Sequence, residues 1–366
     1  MANIIKAMVC PCILLCATAT AFAQDVKVHL DEAGTLESKI ERSRYDQIKK
    51  LTVSGYVNGA DLYDIRDMDN LEVLDLSEAT IVASGSFGTS TYTEGNSICS
   101  GNFSNCEVRT LILPNSLLYI NYQAFYGAYN LEKIVIGDRL QSFSFEAFVN
   151  PQNSYGHSFT TCKQMREFEV SEHNPNFAAA DGVLFDKAMT TLLFYPNKKA
   201  KQYAVPEGVE RINGKAFSCC DNLYEITLPK SLTYIGGSAF EGCEMLLGIT
   251  SLNPTPPEAQ ESLNGGVFYG VPDETCVLYV PEGSYSAYWM APGWGVFDNI
   301  VEIDPTAIEA TPCTETTVRC IEGGMEITTA EADAQVQVYT AGGTLAYSGK
   351  GGRVMLPAGA YIVKAG

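Results

Sequence analysis

The sequence predicts a β-rich solenoid of short stacked strands, followed by a small C-terminal β-sandwich. Segment 209–229 is echoed by segment 232–249 at an offset of 23 residues. Ala-Phe pairs recur in the same frame, and they end at Phe125, Phe148, Phe217 and Phe240. These pairs are separated by 23, 69 and 23 residues, and 69 is three periods. A fixed period in this range is typical of solenoid proteins.

Each period also carries a small residue and an apolar triplet. The small residue follows the Phe by three positions, at Cys106, Ala128, Cys162, Cys220 and Cys243. The triplet has spacings of 3 and 2, as in Leu223, Ile226 and Leu228. Its last two members alternate as in a half-buried strand. Because one such unit buries too little apolar surface to fold alone, the turns must stack into a curved sheet.

These repeats resemble the BspA-like type of leucine-rich repeat, found in cell-surface and secreted proteins of anaerobic bacteria and some protozoa. The resemblance covers about residues 50 to 303. Within it, 174–196 looks like the inserted hairpin of that family, and 278–303 looks like its closing strand and helix. Segments 81–102 and 149–161 depart from the pattern, and we expect loop-like insertions there. The resemblance implies a surface protein that binds other proteins rather than an enzyme.

The first 23 residues are typical of a secretory signal peptide. Lys6 precedes an apolar run, and Ala21-Phe22-Ala23 supplies a small-x-small site, so we expect cleavage between Ala23 and Gln24. A lipid anchor at Cys16 and a buried helix are the alternatives. No later stretch reaches the roughly 18 apolar residues of a membrane span, so we predict a secreted or outer-surface protein without a transmembrane segment.

The charge balance argues against nucleic acid as a partner. The chain has 24 Lys and Arg against 43 Asp and Glu, for a formal net charge of −19. Phosphates repel such a surface, and basic stripes with interleaved aromatic residues are missing from the sequence, so nucleic-acid binding is not expected.

Cysteines offer two interpretations. Those at the repeated small position behave as buried apolar residues. Cys99 with Cys106, and Cys313 with Cys320, have the same seven-residue separation and are the candidate disulfides in an oxidising compartment. A Cys-x-x-Cys motif does not occur, so a zinc site gains no support.

We divide the chain into a signal peptide (1–23), an N-terminal cap with the first strands (24–80), the solenoid with its C-terminal capping element (81–303), a linker (304–317) and a C-terminal β-sandwich (318–366). In the cap we expect helices over 33–40 and 60–68 and a strand over 51–55. The tail resembles the C-terminal sorting domain of the type IX secretion pathway in segments 336–345 and 356–364. A working sorting signal and a non-functional module both fit this resemblance.

Catalytic motifs are missing from the sequence. His29, His157 and His173 lack partners at metal or triad spacing, and we interpret them as solvated. The chain has no Gly-x-Ser-x-Gly elbow, phosphate-binding loop or His-Glu-x-x-His motif. We therefore predict no enzyme activity and no cofactor.

The candidate binding face consists of residues that alternate outward between buried ones, on one continuous ladder. Its predicted members are Thr110, Ile112, Lys133, Val135, Glu167, Glu169, Leu192, Phe194, Glu225 and Thr227. Ile112, Val135, Leu192 and Phe194 would form an apolar patch of the kind that marks partner sites. The leading hypothesis is adhesion to a host extracellular-matrix protein or a bacterial surface component. A cell-envelope scaffold without a dedicated ligand is the alternative, and the oligomeric state is left open.

Overall fold

The structure is a computed structural model that describes residues 24–86, 88–89, 91–144, 147, 162–261 and 266–304, and six strands between 317 and 365. The described residues form two compact units, one up to residue 147 with 169–175 and one of 162–168 with 176 onward. The predicted signal peptide, including Ala23, lies outside the described residues. Cleavage there therefore stays a prediction.

The first unit consists mainly of parallel strands. They are β1 Asp25–Leu30, β2 Lys50–Val57, β3 Val73–Asp75, β4 Ala79–Ile81, β5 Ser97–Ile98, β6 Thr110–Ile112, β7 Tyr119–Ile120, β8 Lys133–Ile136, β9 Ser142–Phe143 and the end of β10, whose full range is Glu167–Val170. One sheet has the order β1-β2-β3-β6-β8-β10 with β4 beside β2, and another has the order β5-β7-β9. The strand predicted over 51–55 is part of β2. β1 was not predicted, although Val26, Val28 and Leu30 alternate with polar residues as in a strand.

Two helices form in the predicted parts of the cap, α1 at Leu36–Lys39 and α2 at Gly59–Arg66, with a 3-10 helix at Arg42–Gln47 between them. Asn58 caps α2, and Asp61 completes the capping box. The fully buried Asp61 carboxylate also accepts backbone N–H bonds from Gly34 at 2.6 Å and Leu36 at 2.9 Å. One carboxylate therefore joins the starts of both helices.

The second unit contains the hairpin, the later repeats and the closing element. Its strands are β11 Phe177–Ala180, β12 Val183–Asp186, β13 Thr191–Phe194, β14 Gln202–Ala204, β15 Arg211–Ile212, β16 Glu225–Leu228, β17 Tyr234–Ile235, β18 Gly248–Ser251, β19 Glu258–Ala259, β20 Val277–Pro281 and β21 Asn299–Ile303. One sheet has the order β11-β12-β13-β15-β17-β19, and the other has the order β14-β16-β18-β20-β21. Helix α3, Tyr285–Met290, lies between β20 and β21 as predicted for the closing element.

The inserted hairpin is also confirmed. β11 and β12 pair antiparallel around Asp181 and Gly182, whose φ values are 47° and 71°. Two successive left-handed residues are typical of a type I′ turn, whose twist matches that of the strands it joins.

No described helix of the protein is long and apolar enough to cross a membrane.

The core of the second unit is a column of aromatic rings. Phe217 stacks on Tyr195 and on Phe240 with centroid distances of 4.9 Å, and Phe240 lies 5.5 Å from Phe268. Phe268 then contacts Trp294 at 5.0 Å. The rings lie one turn apart, so the repeated Phe position is a core position as predicted. Phe148 lies outside the described residues.

Cysteines at the small repeat position are buried, as predicted for Cys106, Cys162, Cys220 and Cys243. The predicted Cys99–Cys106 disulfide is wrong, because both are free buried thiols. Cys99 lies 4.0 Å from the Asn121 amide on the next turn, whereas Cys106 occupies the apolar core, where burial raises its pKa to about 11. Cys313 and the Cys320 side chain lie outside the described residues, so that disulfide stays a prediction.

The C-terminal segment contains the predicted antiparallel strands. They are β22 Thr317–Ile321, β23 Gly324–Thr328, β24 Gln335–Thr340, β25 Leu345–Lys350, β26 Gly352–Met355 and β27 Tyr361–Ala365. They form two three-stranded sheets, β22-β23-β26 and β25-β24-β27. The packing of these sheets into a sandwich stays a prediction.

Candidate functional site

Outward-facing residues of the parallel strands form two surfaces. The first ladder consists of Lys50, Thr52, Val73, Asp75, Thr110, Ile112, Lys133 and Val135, from β2, β3, β6 and β8. The second ladder consists of Gln202, Ala204, Glu225, Thr227, Gly248, Thr250, Val277, Tyr279, Asn299 and Val301, from β14, β16, β18, β20 and β21. Neighbouring strands lie about 4.8 Å apart, so side chains in one row touch.

Four predicted residues fall on the first ladder. Thr110 pairs in register with Lys133, and Ile112 pairs with Val135. All four are half-buried, because neighbours in the row cover part of each side chain. Ile112 and Val135 therefore form a small apolar spot, with Asp75 next to Ile112 in the same row.

Acidic residues beside the first ladder have cationic partners from the chain itself. Three ion pairs link neighbouring strands: Lys49–Glu72 at 2.9 Å, Arg109–Glu132 at 2.8 Å and Lys133–Glu169. The hydrogen bond and the positive charge of Lys49 lower the pKa of Glu72. Exposed pairs contribute little to stability, because water and salt screen them. Their main effect is to leave these charges less available to a partner.

The second ladder contains Glu225 and Thr227 as predicted, and a gap that the sequence did not indicate. Gly248 lies beside Glu225 and lacks a side chain. A Cβ at this glycine would lie 3.6 Å from Glu225 Cγ and 3.7 Å from Tyr279 Cε2. Glu225 and Tyr279 thus flank the space over Gly248, and we call these three residues the Glu225 notch.

Ionisation in the notch reflects this crowding. Partial desolvation raises the pKa of Glu225, whose carboxylate accepts one hydrogen bond, from the Gln202 amide at 2.8 Å. Burial, and secondly the nearby charge of Glu225, raise the pKa of Tyr279. Tyr279 was missed because β20 follows β18 by 29 residues in register rather than 23, so the period does not place it opposite Thr250.

Two predicted face residues are wrong. Leu192 and Phe194 are buried on β13, with 0% and 5% of their surfaces exposed. Leu192 pairs with the core residue Ile212, and the Phe194 ring lies 5.4 Å from that of Phe168. The hairpin changes the phase of the repeat, so the alternate residues Thr191 and Leu193 face outward instead.

Because of this phase change, the single continuous ladder is also wrong. β13 belongs to a different sheet from β16, which carries Glu225. The other predicted members lie on β10, where Glu167 is half-buried and Glu169 is exposed and paired with Lys133.

His29 has neighbours that its sequence context did not predict. Parallel pairing of β1 with β2 places its Nδ1 2.9 Å from Ser54 Oγ, and its Nε2 lies 3.6 Å from Asp31. The His29 and Asp31 side chains are 63% and 78% exposed. A Ser-His-Asp triad depends on a buried carboxylate that orients the imidazole, and this group lacks one.

His173 does not form a site among the described residues. His173 is exposed beside Glu172, and His157 lies outside the described residues. Among the described residues, no group of three or more His, Cys, Asp or Glu side chains is arranged to hold a metal ion.

The repeat region matches a known family. Residues 90–176 and 187–270 match the model described as "BspA type Leucine rich repeat region", in 6 copies. These stretches contain the Ala-Phe turns and the apolar triplets. The protein is therefore a leucine-rich-repeat solenoid with a period of about 23 residues, as its sequence predicted.

Solved structures of bacterial proteins are similar at low sequence identity. A leucine rich cell surface protein from Faecalibacterium prausnitzii A2-165 is 20% identical over 70% of this chain and 73% of that chain, with a TM-score of 0.41. A leucine-rich repeat protein from Eubacterium ventriosum is 16% identical over 65% and 67%, with a TM-score of 0.36. The pneumococcal vaccine antigen PcpA is 15% identical over 70% and 72%, with a TM-score of 0.29. No curated protein gave a significant match.

Proposed function

Starting from a leucine-rich-repeat solenoid with two outward strand ladders, we propose that this protein is a secreted or cell-surface, non-enzymatic binding protein. The observation that carries the proposal is the in-register placement of outward side chains on parallel strands, with Ile112 beside Val135. Such surfaces are extended, and their outward side chains can be substituted without altering the core beneath them. Both properties suit recognition of another protein.

Adhesion is the role we propose for this binding. The partner would be a host extracellular-matrix protein or a component of a neighbouring bacterial surface. Export through the segment before Gln24 would bring the ladders into contact with either. A cell-envelope scaffold is the second candidate, and the internally paired charges beside the first ladder favour it, because they leave little charge for a partner.

The test is binding of residues 24–366 to immobilised matrix proteins and to intact bacterial cells. The variant Ile112→Ser/Val135→Ser should weaken binding about tenfold, as expected when about 1.4 kcal/mol of apolar contact is lost. Val296→Ser is the matched control, because Val296 is 48% exposed and lies on neither ladder. Both variants should keep the wild-type melting temperature.

The outcomes separate the two candidates. Unchanged affinity of the double variant for a partner that the wild type binds would exclude the first ladder as the binding surface. Recovery of bacterial partners alone from a mixture with host matrix would favour the scaffold.

We further propose that the C-terminal strands serve as a sorting module of the type IX kind. Its test is surface proteolysis of intact cells that express the chain with or without residues 306–366. Loss of surface exposure only in the shortened chain supports the module. Equal exposure of both chains contradicts it.

A further inference from the structure

In the second unit, outward tyrosines hold cations from the chain itself. The Arg211 guanidinium lies 3.8 Å from the ring centre of Tyr234, and Lys201 lies 5.3 Å from that of Tyr224. Glu258 is the in-register neighbour of Tyr234 on the next strand. On this sheet Arg211, Tyr234 and Glu258 thus lie in one row, and the arginine is held over the aromatic face of the tyrosine.

The Glu225 notch has a tyrosine and a carboxylate but not the arginine. Glu225 and Tyr279 flank the space over Gly248, yet among the described residues Glu225 makes no ion pair and Tyr279 has no cation over its ring. Among the described residues, the one polar partner of the Glu225 carboxylate is the neutral Gln202 amide. Acids beside the first ladder differ, because each of Glu72, Glu132 and Glu169 contacts its own lysine or arginine.

We propose that the Glu225 notch binds an arginine side chain of the protein partner. The planar guanidinium can donate two parallel bonds to the Glu225 carboxylate while it stacks on the Tyr279 ring, which the ammonium group of lysine cannot do. Gly248 leaves the space between them that a side chain would fill. This inference rests on the proposed function, because it names the chemistry of the partner.

The surroundings of the notch define the rest of the partner segment. Leu247 is 48% exposed next to Gly248, and Val277 lies half-buried on the other side. An apolar residue beside the arginine would cover both. The formal net charge of −19 also attracts cationic partners over a longer range. The notch thus fits an arginine with an aliphatic neighbour in an exposed protein segment.

The experiment uses residues 24–366 and a small probe, so it needs no identified partner. Acetyl-Leu-Arg-Leu-amide is titrated while backbone amide shifts of Glu225, Gly248 and Tyr279 are followed by TROSY NMR. The matched probe is acetyl-Leu-citrulline-Leu-amide, which has nearly the same shape without the charge. Glu225→Gln removes the carboxylate charge, and Glu258→Gln is the control for an exposed carboxylate on the other sheet.

We expect saturable shifts at the notch with the arginine probe, and at least about tenfold weaker binding of the citrulline probe, since bonds between charged groups are roughly twice as strong as neutral ones. Glu225→Gln should weaken arginine binding by the same factor, whereas Glu258→Gln should bind as the wild type does. Tyr279→Leu should also weaken binding, because the ring face is lost.

Equal binding of the two probes, an unchanged Glu225→Gln variant, or shifts confined to other residues would each overturn the inference. A negative probe titration in a protein whose matrix binding depends on Ile112 and Val135 refutes the notch and leaves the proposed function intact. Specific arginine binding in a protein that binds neither matrix proteins nor cells supports the notch and contradicts the proposed adhesion.

Discussion

Alanine at Gly236 should destabilise the second unit through a steric clash between neighbouring turns. Gly236 is buried, and a Cβ there would lie 2.4 Å from the backbone N of Gly214 and 2.8 Å from its Cα. The φ angle of Gly236 is not in the left-handed region, so alanine is allowed by the local conformation. The expected effect is therefore due to contact alone.

The size of the effect follows from these distances. Relieving the contact requires the two turns to separate by about 1 Å, since carbon atoms approach their neighbours to roughly 3.5 Å. The Gly236 N–H bond to the Ile212 carbonyl, 2.9 Å long, would then be lost, at about 1 kcal/mol. Overpacking adds about 1–3 kcal/mol, and a less flexible unfolded chain offsets about 0.4–1 kcal/mol. At the middle of these ranges the net loss is about 2 kcal/mol.

Thermal unfolding followed by circular dichroism measures this loss. At about 2–4 °C per kcal/mol, Gly236→Ala should melt about 4–8 °C below the wild type. Gly214→Ala is the matched control. A Cβ at Gly214 would have the Gly237 carbonyl oxygen as its nearest contact outside the adjoining residues, at 3.2 Å. This variant should change the unfolding free energy by less than about 1 kcal/mol. Equal shifts in the two variants would refute the steric argument.

Two further predictions follow from buried polar and ionisable groups. Asp61→Asn should lower the free energy of unfolding by about 1.5–3 kcal/mol, because both carboxylate oxygens accept backbone N–H bonds and an amide would place its own N–H group against one of these donors. Urea unfolding measures this loss, and the control variant Asp67→Asn, at an exposed position, should change stability by less than about 1 kcal/mol. Equal losses in the two variants would contradict this account. Burial raises the pKa of Cys106 to about 11 and of Cys276 to about 12, so neither thiol should react with iodoacetamide at pH 8 in the native protein, as mass spectrometry would report. Because these folded-state pKa values exceed the ordinary 9.0, the stability gained from burying neutral thiols is present below pH 9 and is lost as the pH rises through 11 and 12. Rapid labelling of the native protein, or stability that increases over this pH range, would contradict the prediction.

Much of the fold could be predicted because burial repeats. Phe217, Phe240 and the cysteines three residues after them are core residues of their turns. Residues of the same type therefore recur at these positions every 23 residues. The period failed where the chain length between strands changed. The hairpin moved Leu192 inward, and a longer connection placed Tyr279 beside Gly248. Side-chain convergence depends on strand register, which one sequence does not contain.

Turn geometry was missed for a different reason. Gln123, Lys215 and Ser238 lie two residues before their Phe, at φ values of 56°, 62° and 57°. Side chains disfavour this left-handed conformation by about 1–2 kcal/mol, so local propensity argues against it. The hydrogen bonds between turns, such as Lys215 N–H to the Gly237 carbonyl at 3.2 Å, hold it in place. Tertiary contacts thus override a preference that sequence reasoning relies on.

The aromatic column has a consequence for how the protein responds to proteolysis. Phe240 contacts the rings one turn away on either side, Phe217 and Phe268, and in a stack of repeats the free energy is approximately a sum of nearest-neighbour terms. Fraying at an end then costs one interface rather than the whole core. A protease that removes a frayed turn leaves the remaining turns with every contact they had among themselves. Proteolysis would therefore shorten the stack gradually instead of unfolding it at once.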